Sequence, residues 1–101
     1  MILEHAILPV RTGSESDFEE AFRVARPLIS RQPGFRSLSI SRSIESPNLY
    51  LLLVEWDSME AHTDGFRGSA DYEQWKGLLH HFYDPFPTVV HFTPVALPPS
   101  A

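Results

Sequence analysis

Two kinds of hydrophobic pattern share this chain: short apolar or alternating runs bounded by Pro, Gly and Asn, and longer stretches spaced by threes and fours. The densest run is Leu49 to Trp56, in which every residue but Glu55 is apolar or aromatic. It falls far short of the ~20 residues of a membrane span, and Pro47-Asn48 and Asp57-Ser58 bound it, so it reads as a central strand. Alternation sends Leu49, Leu51, Leu53 and Glu55 to one face and Tyr50, Leu52, Val54 and Trp56 to the other. Both faces are apolar, so both need covering.

Ile2 to Val10 predicts a first strand, interrupted by Glu4 and His5 and closed by Pro9 and Thr12-Gly13. Ser14 to Asp17 supplies helix-capping side chains, with Ser16 and Glu19 spaced as a capping box. Phe18, Ala21, Phe22, Ala25, Leu28 and Ile29 then form an apolar helical stripe, with Pro27 predicting a kink or an early end. After the turn Gln32-Pro33-Gly34, residues 35–44 alternate, with Ser37, Ser39, Ser41 and Ser43 giving one small polar face. Glu45 to Asn48 turns that strand back into the central one. Asp57 and Glu60 resemble a second capping box, opening a short helix in which Met59, His62 or Thr63, and Phe66 share a face. Gly65 and Gly68 weaken it. Ser69 caps a further helix with the stripe Tyr72, Trp75, Leu78, Leu79 and Phe82. Asp84 to Pro87 leaves the helix, residues 88–95 predict a last strand, and residues 96–101 predict a flexible or partner-draped tail.

The order strand, helix, strand, strand, helix, strand over residues 1–101 predicts a single ferredoxin-like α+β domain, with a four-stranded antiparallel sheet carrying both helices on one face. The other face would be bare, and its apolarity predicts a symmetric homodimer.

Composition narrows the class. A net charge of −5, with eight scattered cations, argues against a nucleic-acid partner. The absence of Cys removes disulfides, thiol nucleophiles and thiolate metal sites. The start Met1 to His5 lacks the basic and apolar regions of a secretion signal, so cytoplasmic residence without membrane association is expected.

Tyr50-Leu51-Leu52-Leu53-Val54-Glu55-Trp56-Asp57-Ser58-Met59-Glu60-Ala61-His62, with Gln32-Pro33-Gly34-Phe35 before it and Phe66-Arg67-Gly68-Ser69 and Tyr72 after it, resembles the antibiotic biosynthesis monooxygenase family of dimeric α+β barrels. The resemblance covers nearly the whole chain. It implies a small cavity between sheet and helices, where some members oxidise polycyclic phenols with oxygen and without flavin, metal or haem. Other members degrade haem, using an Asn on the first strand and a Trp and an axial His in the second helical region. Here His5 or Ala6 takes the Asn position, Gly65-Phe66 the Trp position and Gln74 to Lys76 the His position, with His80 one turn beyond. Those departures argue against haem degradation, and no cofactor is expected.

Five His residues are the side chains whose ordinary pKa lies near neutrality. His5 and His91, on strands expected to be neighbours, are candidates to converge with His80 on one cavity. Structural, hydrogen-bonded imidazole is the simpler role for each, and no spacing supports a metal site. Trp56, Phe66, Tyr72, Trp75, Phe82, Tyr83 and Phe86 crowd the second half, where core packing competes with the walls of a pocket for a flat ligand. Glu55 is expected to be an edge-facing or Arg-paired acid, with Arg36 or Arg42 as candidate partners, rather than a perturbed base.

Cofactor-free oxidation of a small phenol needs a dry pocket, a base and oxyanion donors. The candidates are His80 as base or hydrogen-bond partner and Tyr72 as orienting donor. Trp56, Phe66 and Trp75 are candidate walls, with His5, Tyr83 and His91 as further substrate contacts. An oxygenase predicts a closed cavity of several hundred cubic ångströms. A non-catalytic binder or sensor of a small hydrophobic molecule predicts the same cavity without a positioned base, and a structural or interaction dimer predicts solid packing.

Overall fold

A computed structural model describes residues 1–99. Its elements are β1 (Ile2–Pro9), α1 (Glu15–Ser30), β2 (Phe35–Arg42), β3 (Leu49–Trp56), a π-helical segment (Ala61–Phe66), α2 (Ala70–Leu79), a 3-10 turn (His80–Phe82) and β4 (Val89–Phe92). The strands form one antiparallel sheet in the order β2-β3-β1-β4. This is the expected ferredoxin-like arrangement.

The inward side of β3 is Tyr50, Leu52, Val54 and Trp56, all buried, and β1 adds Glu4, Ala6 and Leu8 beside them. Phe18, Phe22, Ala25, Leu28 and Ile29 of α1 and Trp75 and Leu79 of α2 close over that surface. Burying a large side chain is worth about 1.5–3 kcal/mol, so this stripe-on-sheet contact supplies most of the cohesion. On the outward side, Ile7, Val90 and Phe92 are well exposed beside the half-buried Leu49, Leu51 and Leu53.

Local details depart from the sequence expectations. Helix α1 begins at Glu15 with Ser14 at its cap and no capping-box bond; instead Glu15 Oε1 accepts from Gly13 N–H at 2.8 Å. Pro27 does not end the helix, because it lies on the exposed side, while Leu28 and Ile29 anchor the last turn in the core. At the second predicted capping box, Ser58 Oγ accepts from Ala61 N–H at 3.2 Å, and Asp57 pairs with Arg36 at 3.2 Å. The segment that follows is π-helical. Ser69 does cap α2, accepting from Tyr72 N–H at 3.2 Å.

Glu55 pairs with neither candidate, since Arg36 is taken by Asp57 and Arg42 lies 3.6 Å from Glu19. β4 is shorter than predicted and pairs with β1 alone, with Pro94 just beyond it. Residues 93–99 are exposed without regular structure, and residues 100 and 101 of the predicted tail lie outside the described residues. Among the described residues no helix is long and apolar enough to cross a membrane.

Gly34 joins α1 to β2 at φ +85°, and a Cβ there would meet the Ala61 Cβ at 2.7 Å. Gly13 has φ +94° but open space around it. A left-handed non-glycine residue costs roughly 1–2 kcal/mol, and overpacking adds about 1–3 kcal/mol. Urea unfolding will therefore show Gly34→Ala losing clearly more stability than Gly13→Ala; equal losses would refute the close contact between this turn and the π-helical segment.

Candidate functional site

Strand alternation sends Glu4 inward in phase with Ala6 and Leu8, and antiparallel pairing sets His91 of β4 directly opposite it. His62 arrives from the helical layer. Its segment is closed by the Arg67 N–H donating to the His62 carbonyl at 3.1 Å, the five-residue step of a π-turn, which puts His62 and Phe66 together in the core. Thr63 turns away, its hydroxyl donating to the Met59 carbonyl at 3.2 Å.

Trp56 is wholly buried, stacks on His62 with ring centres 5.5 Å apart, and donates its indole N–H to Glu4 Oε1 at 2.9 Å. His62 Nε2 lies 3.4 Å from the same oxygen, and His62 Nδ1 lies 2.8 Å from His91 Nε2. Glu4, His62 and His91 thus form a line rather than a ring of donors around one point. Among the described residues no three His, Asp or Glu side chains are grouped to hold a metal ion.

Burial sets the electrostatics. It raises the Glu4 carboxyl above its ordinary value, opposed by the Trp56 hydrogen bond and the Arg67 charge. Burial first, then Arg67 and His91, lowers His62 to about 3, so its imidazole is neutral at pH 7. His91 is lowered by burial and Arg67, and His80 by burial and Lys76. Burial raises the Tyr83 phenol, which stays protonated.

Glu4 and His62 face a cavity of about 80 Å³ between sheet and helices, shared with Arg67, Tyr72, His80 and Tyr83. Phe86, exposed on its outer side, packs edge-on against His80 at 4.9 Å and lines the same cavity with Pro87. The space falls short of the several hundred cubic ångströms expected of an oxygenase or a ligand binder and is nearer the solid packing expected of an interaction dimer. Phe66 packs edge-on against both Tyr72 and Trp75, at 5.2 and 5.5 Å, and all three rings line the cavity. A cavity of about 150 Å³ is known to admit benzene, so even one aromatic ring requires the rim to move.

A larger, open groove of about 550 Å³ lies between α1 and β2. Its Glu19 already accepts from Tyr50 at 2.6 Å and pairs with Arg42, and it holds no His. The titratable chemistry is in the smaller cavity.

Of the sequence candidates, Tyr72, His80, Phe66, Trp75 and Tyr83 line that cavity together. Trp56 lies behind it and acts through Glu4, and His91 reaches it through His62. His5 does not converge with them: it faces the opposite side of the sheet, edge-on to Phe92 at 5.6 Å, because it is one residue out of phase with Glu4. The sequence pattern does not mark Glu4, His62 or Arg67 as site residues. The available signal was a carboxylate at an inward strand position, in register with Ala6 and Leu8.

Residues 1–78 match the family model described as antibiotic biosynthesis monooxygenase. The chain is 53% identical over 95 residues to the uncharacterized Bacillus subtilis (strain 168) protein YczJ, covering 94% of this chain and all of that one. It is 38% identical, with a TM-score of 0.89, to a Bordetella bronchiseptica protein whose crystal structure carries a provisional assignment as an antibiotic biosynthesis monooxygenase, covering 94% of this chain and 97% of the other. SnoaB, a cofactor-independent oxygenase from Streptomyces nogalater, shares the fold at 21% identity and a TM-score of 0.77, over 98% of this chain and 97% of its own.

His62 and Glu4 push acid stability in opposite directions. The lowered His62 pKa gives a contribution complete above its unfolded value of 6.5 and lost as pH falls toward about 3. The raised Glu4 pKa gives one present below its unfolded value of 4.5 and lost as pH rises through the folded value. Between pH 4.5 and 6.5, replacing His62 by Asn will lower the slope of stability against pH by up to ~1.4 kcal/mol per pH unit. Urea midpoints across that window measure it, and an unchanged slope would mean that His62 is not held neutral.

Proposed function

The chain belongs to the antibiotic biosynthesis monooxygenase family, and from that premise we propose that it is a cofactor-independent monooxygenase acting on a small phenol, with Tyr72 and His80 as its catalytic pair. The observation that carries the reading is the meeting of Tyr72, His80, Glu4 and His62 in one aromatic-walled cavity. Burial and Lys76 hold His80 toward its neutral form, as a base for a phenolic proton requires. Tyr72, with its ring centre 6.1 Å from that of His80, is close enough to hold the same oxygen from a second side.

The substrate supplies every electron. Loss of the phenolic proton gives a phenolate that transfers an electron to oxygen; recombination forms a carbon–oxygen bond and a peroxide, and elimination of water leaves a quinone. The phenol and one oxygen molecule account for all atoms of quinone and water. The modest cavity favours a single-ring phenol or hydroquinone, admitted by displacement of Phe86. The dense packing of Phe66, Tyr72 and Trp75 supports a second reading, an interaction dimer without chemistry.

Oxygen uptake with single-ring phenols and hydroquinones, coupled to quinone absorbance, tests the oxygenase reading. The purified protein will consume oxygen, and Tyr72→Phe and His80→Asn will each lower kcat by about 10²–10⁴-fold. No uptake with any member of the panel would leave the interaction reading standing.

Dimerisation through the outer sheet face is part of the same reading. Ile7, Val90 and Phe92 leave too much apolar surface wet for a lone copy, and a second copy of this face would cover it. Sedimentation will give a dimer, and Ile7→Lys, at the middle of that face, will shift it to monomer. A wild-type monomer at micromolar concentration would overturn the assignment.

A further inference from the structure

We propose that Glu4, His62 and His91 form a proton conduit between the cavity and the open edge of the sheet, with Glu4 exchanging the proton with the ligand and His91 exchanging it with water. The proposal rests on the oxygenase reading for its use, since the peroxide formed there must gain a proton. Its physical existence does not.

Geometry carries the inference. Glu4 lines the cavity and is buried; His62 bridges from 3.4 Å of its Oε1 to 2.8 Å from His91 Nε2; and His91 is half-buried on β4, an edge strand whose ladder partner is β1. His62 has one nitrogen toward each neighbour and His91 turns Nε2 toward His62, the arrangement that lets a ring accept a proton on one side and release one on the other. Trp56 is a pure donor and takes no part in transfer; its N–H holds Oε1 in place, and its ring holds His62 by stacking.

With Glu4 ionised, Oε1 accepts from Trp56 Nε1–H at 2.9 Å and faces His62 Nε2–H across 3.4 Å, and His62 Nδ1 accepts from His91 Nε2–H. A proton bound from water at His91 Nδ1 sends the His91 Nε2 proton to His62 Nδ1 and the His62 Nε2 proton to Glu4. Every N–H or O–H bond broken is matched by one formed, and no ring is left charged. Glu4 then donates to an oxyanion in the cavity, and the tautomers are reset when a ligand proton passes the other way, from Glu4 to His62 Nε2, from His62 Nδ1 to His91 Nε2 and from His91 Nδ1 to water. The charged and titratable groups around the line are Glu4 from β1, His91 from β4, Tyr72 from α2, His80 and Tyr83 at and just after the 3-10 turn, and Arg67 from the turn after the π-helical segment, whose charge disfavours a stored imidazolium.

Nitrogen-15 NMR of the imidazoles in the full chain, without ligand, is the primary test. On lowering pH, the His62 and His91 ring nitrogens will change by the size of a full tautomer exchange at one midpoint, shared with the Glu4 carboxyl carbon. Glu4→Gln keeps the Trp56 hydrogen bond through its amide oxygen and has no proton to trade, so that shared midpoint will vanish from both rings. Persistence of the same transition in Glu4→Gln, or a His91 response independent of Glu4, would overturn the conduit. The second measurement uses His91→Ala: quinone formation will fall and be restored by added imidazole, and a loss that imidazole leaves unrepaired would also count against it. If no phenol is oxidised but the coupled transition is seen, the conduit stands and the oxygenase reading falls.

Discussion

The burial of Glu4 beneath Trp56 is the constraint around which the rest of the molecule is arranged. A carboxylate taken out of water is costly unless its oxygens find partners, and here one oxygen takes the indole N–H and faces an imidazole. Among the described residues no buried side-chain polar atom is left without a partner. Satisfying that oxygen requires Trp56 at the inward end of β3 and His62 presented from the helical layer. The sheet register supplies the first, and the π-turn supplies the second.

The same arrangement explains why the helical layer is irregular where it crosses the site. A regular turn would not close from Arg67 back to His62, and Gly68 is needed because a Cβ there would lie 2.4 Å from the Asp64 carbonyl oxygen. Ser69 then restarts a regular helix whose first turn contributes Tyr72 and whose body contributes Trp75. Elsewhere in the helical layer, Arg31 clasps Asp71 through a pair of hydrogen bonds at 2.8 and 2.6 Å, with Gln32 on the same carboxylate, and so ties the end of α1 to the start of α2.

Packing and chemistry share the aromatic set. Phe66, Tyr72 and Trp75 touch edge-on, which favours a closed resting cavity, while Phe86 lies half outside and, among the described residues, meets only the rings of His80 and Tyr83. The rim is the weakest part of that wall, so ligand entry is expected there rather than through the core.

The sequence by itself determined the element order, the two faces of β3 and the helical stripes of α1 and α2, because two-residue and three-to-four-residue periodicities are local properties of the chain. Only the tertiary structure decided that His5 turns away from the cavity while Glu4 enters it, that His62 rather than Thr63 lies in the core, and that His91 meets His62. Those facts depend on the register of β1 against β4, where Glu4 meets His91 from 87 positions away, and on a π-turn whose place in the core is set by such distant contacts. Cavity size belongs with them, since volume is the difference between packed side chains and the backbone shell and has no signature in spacing.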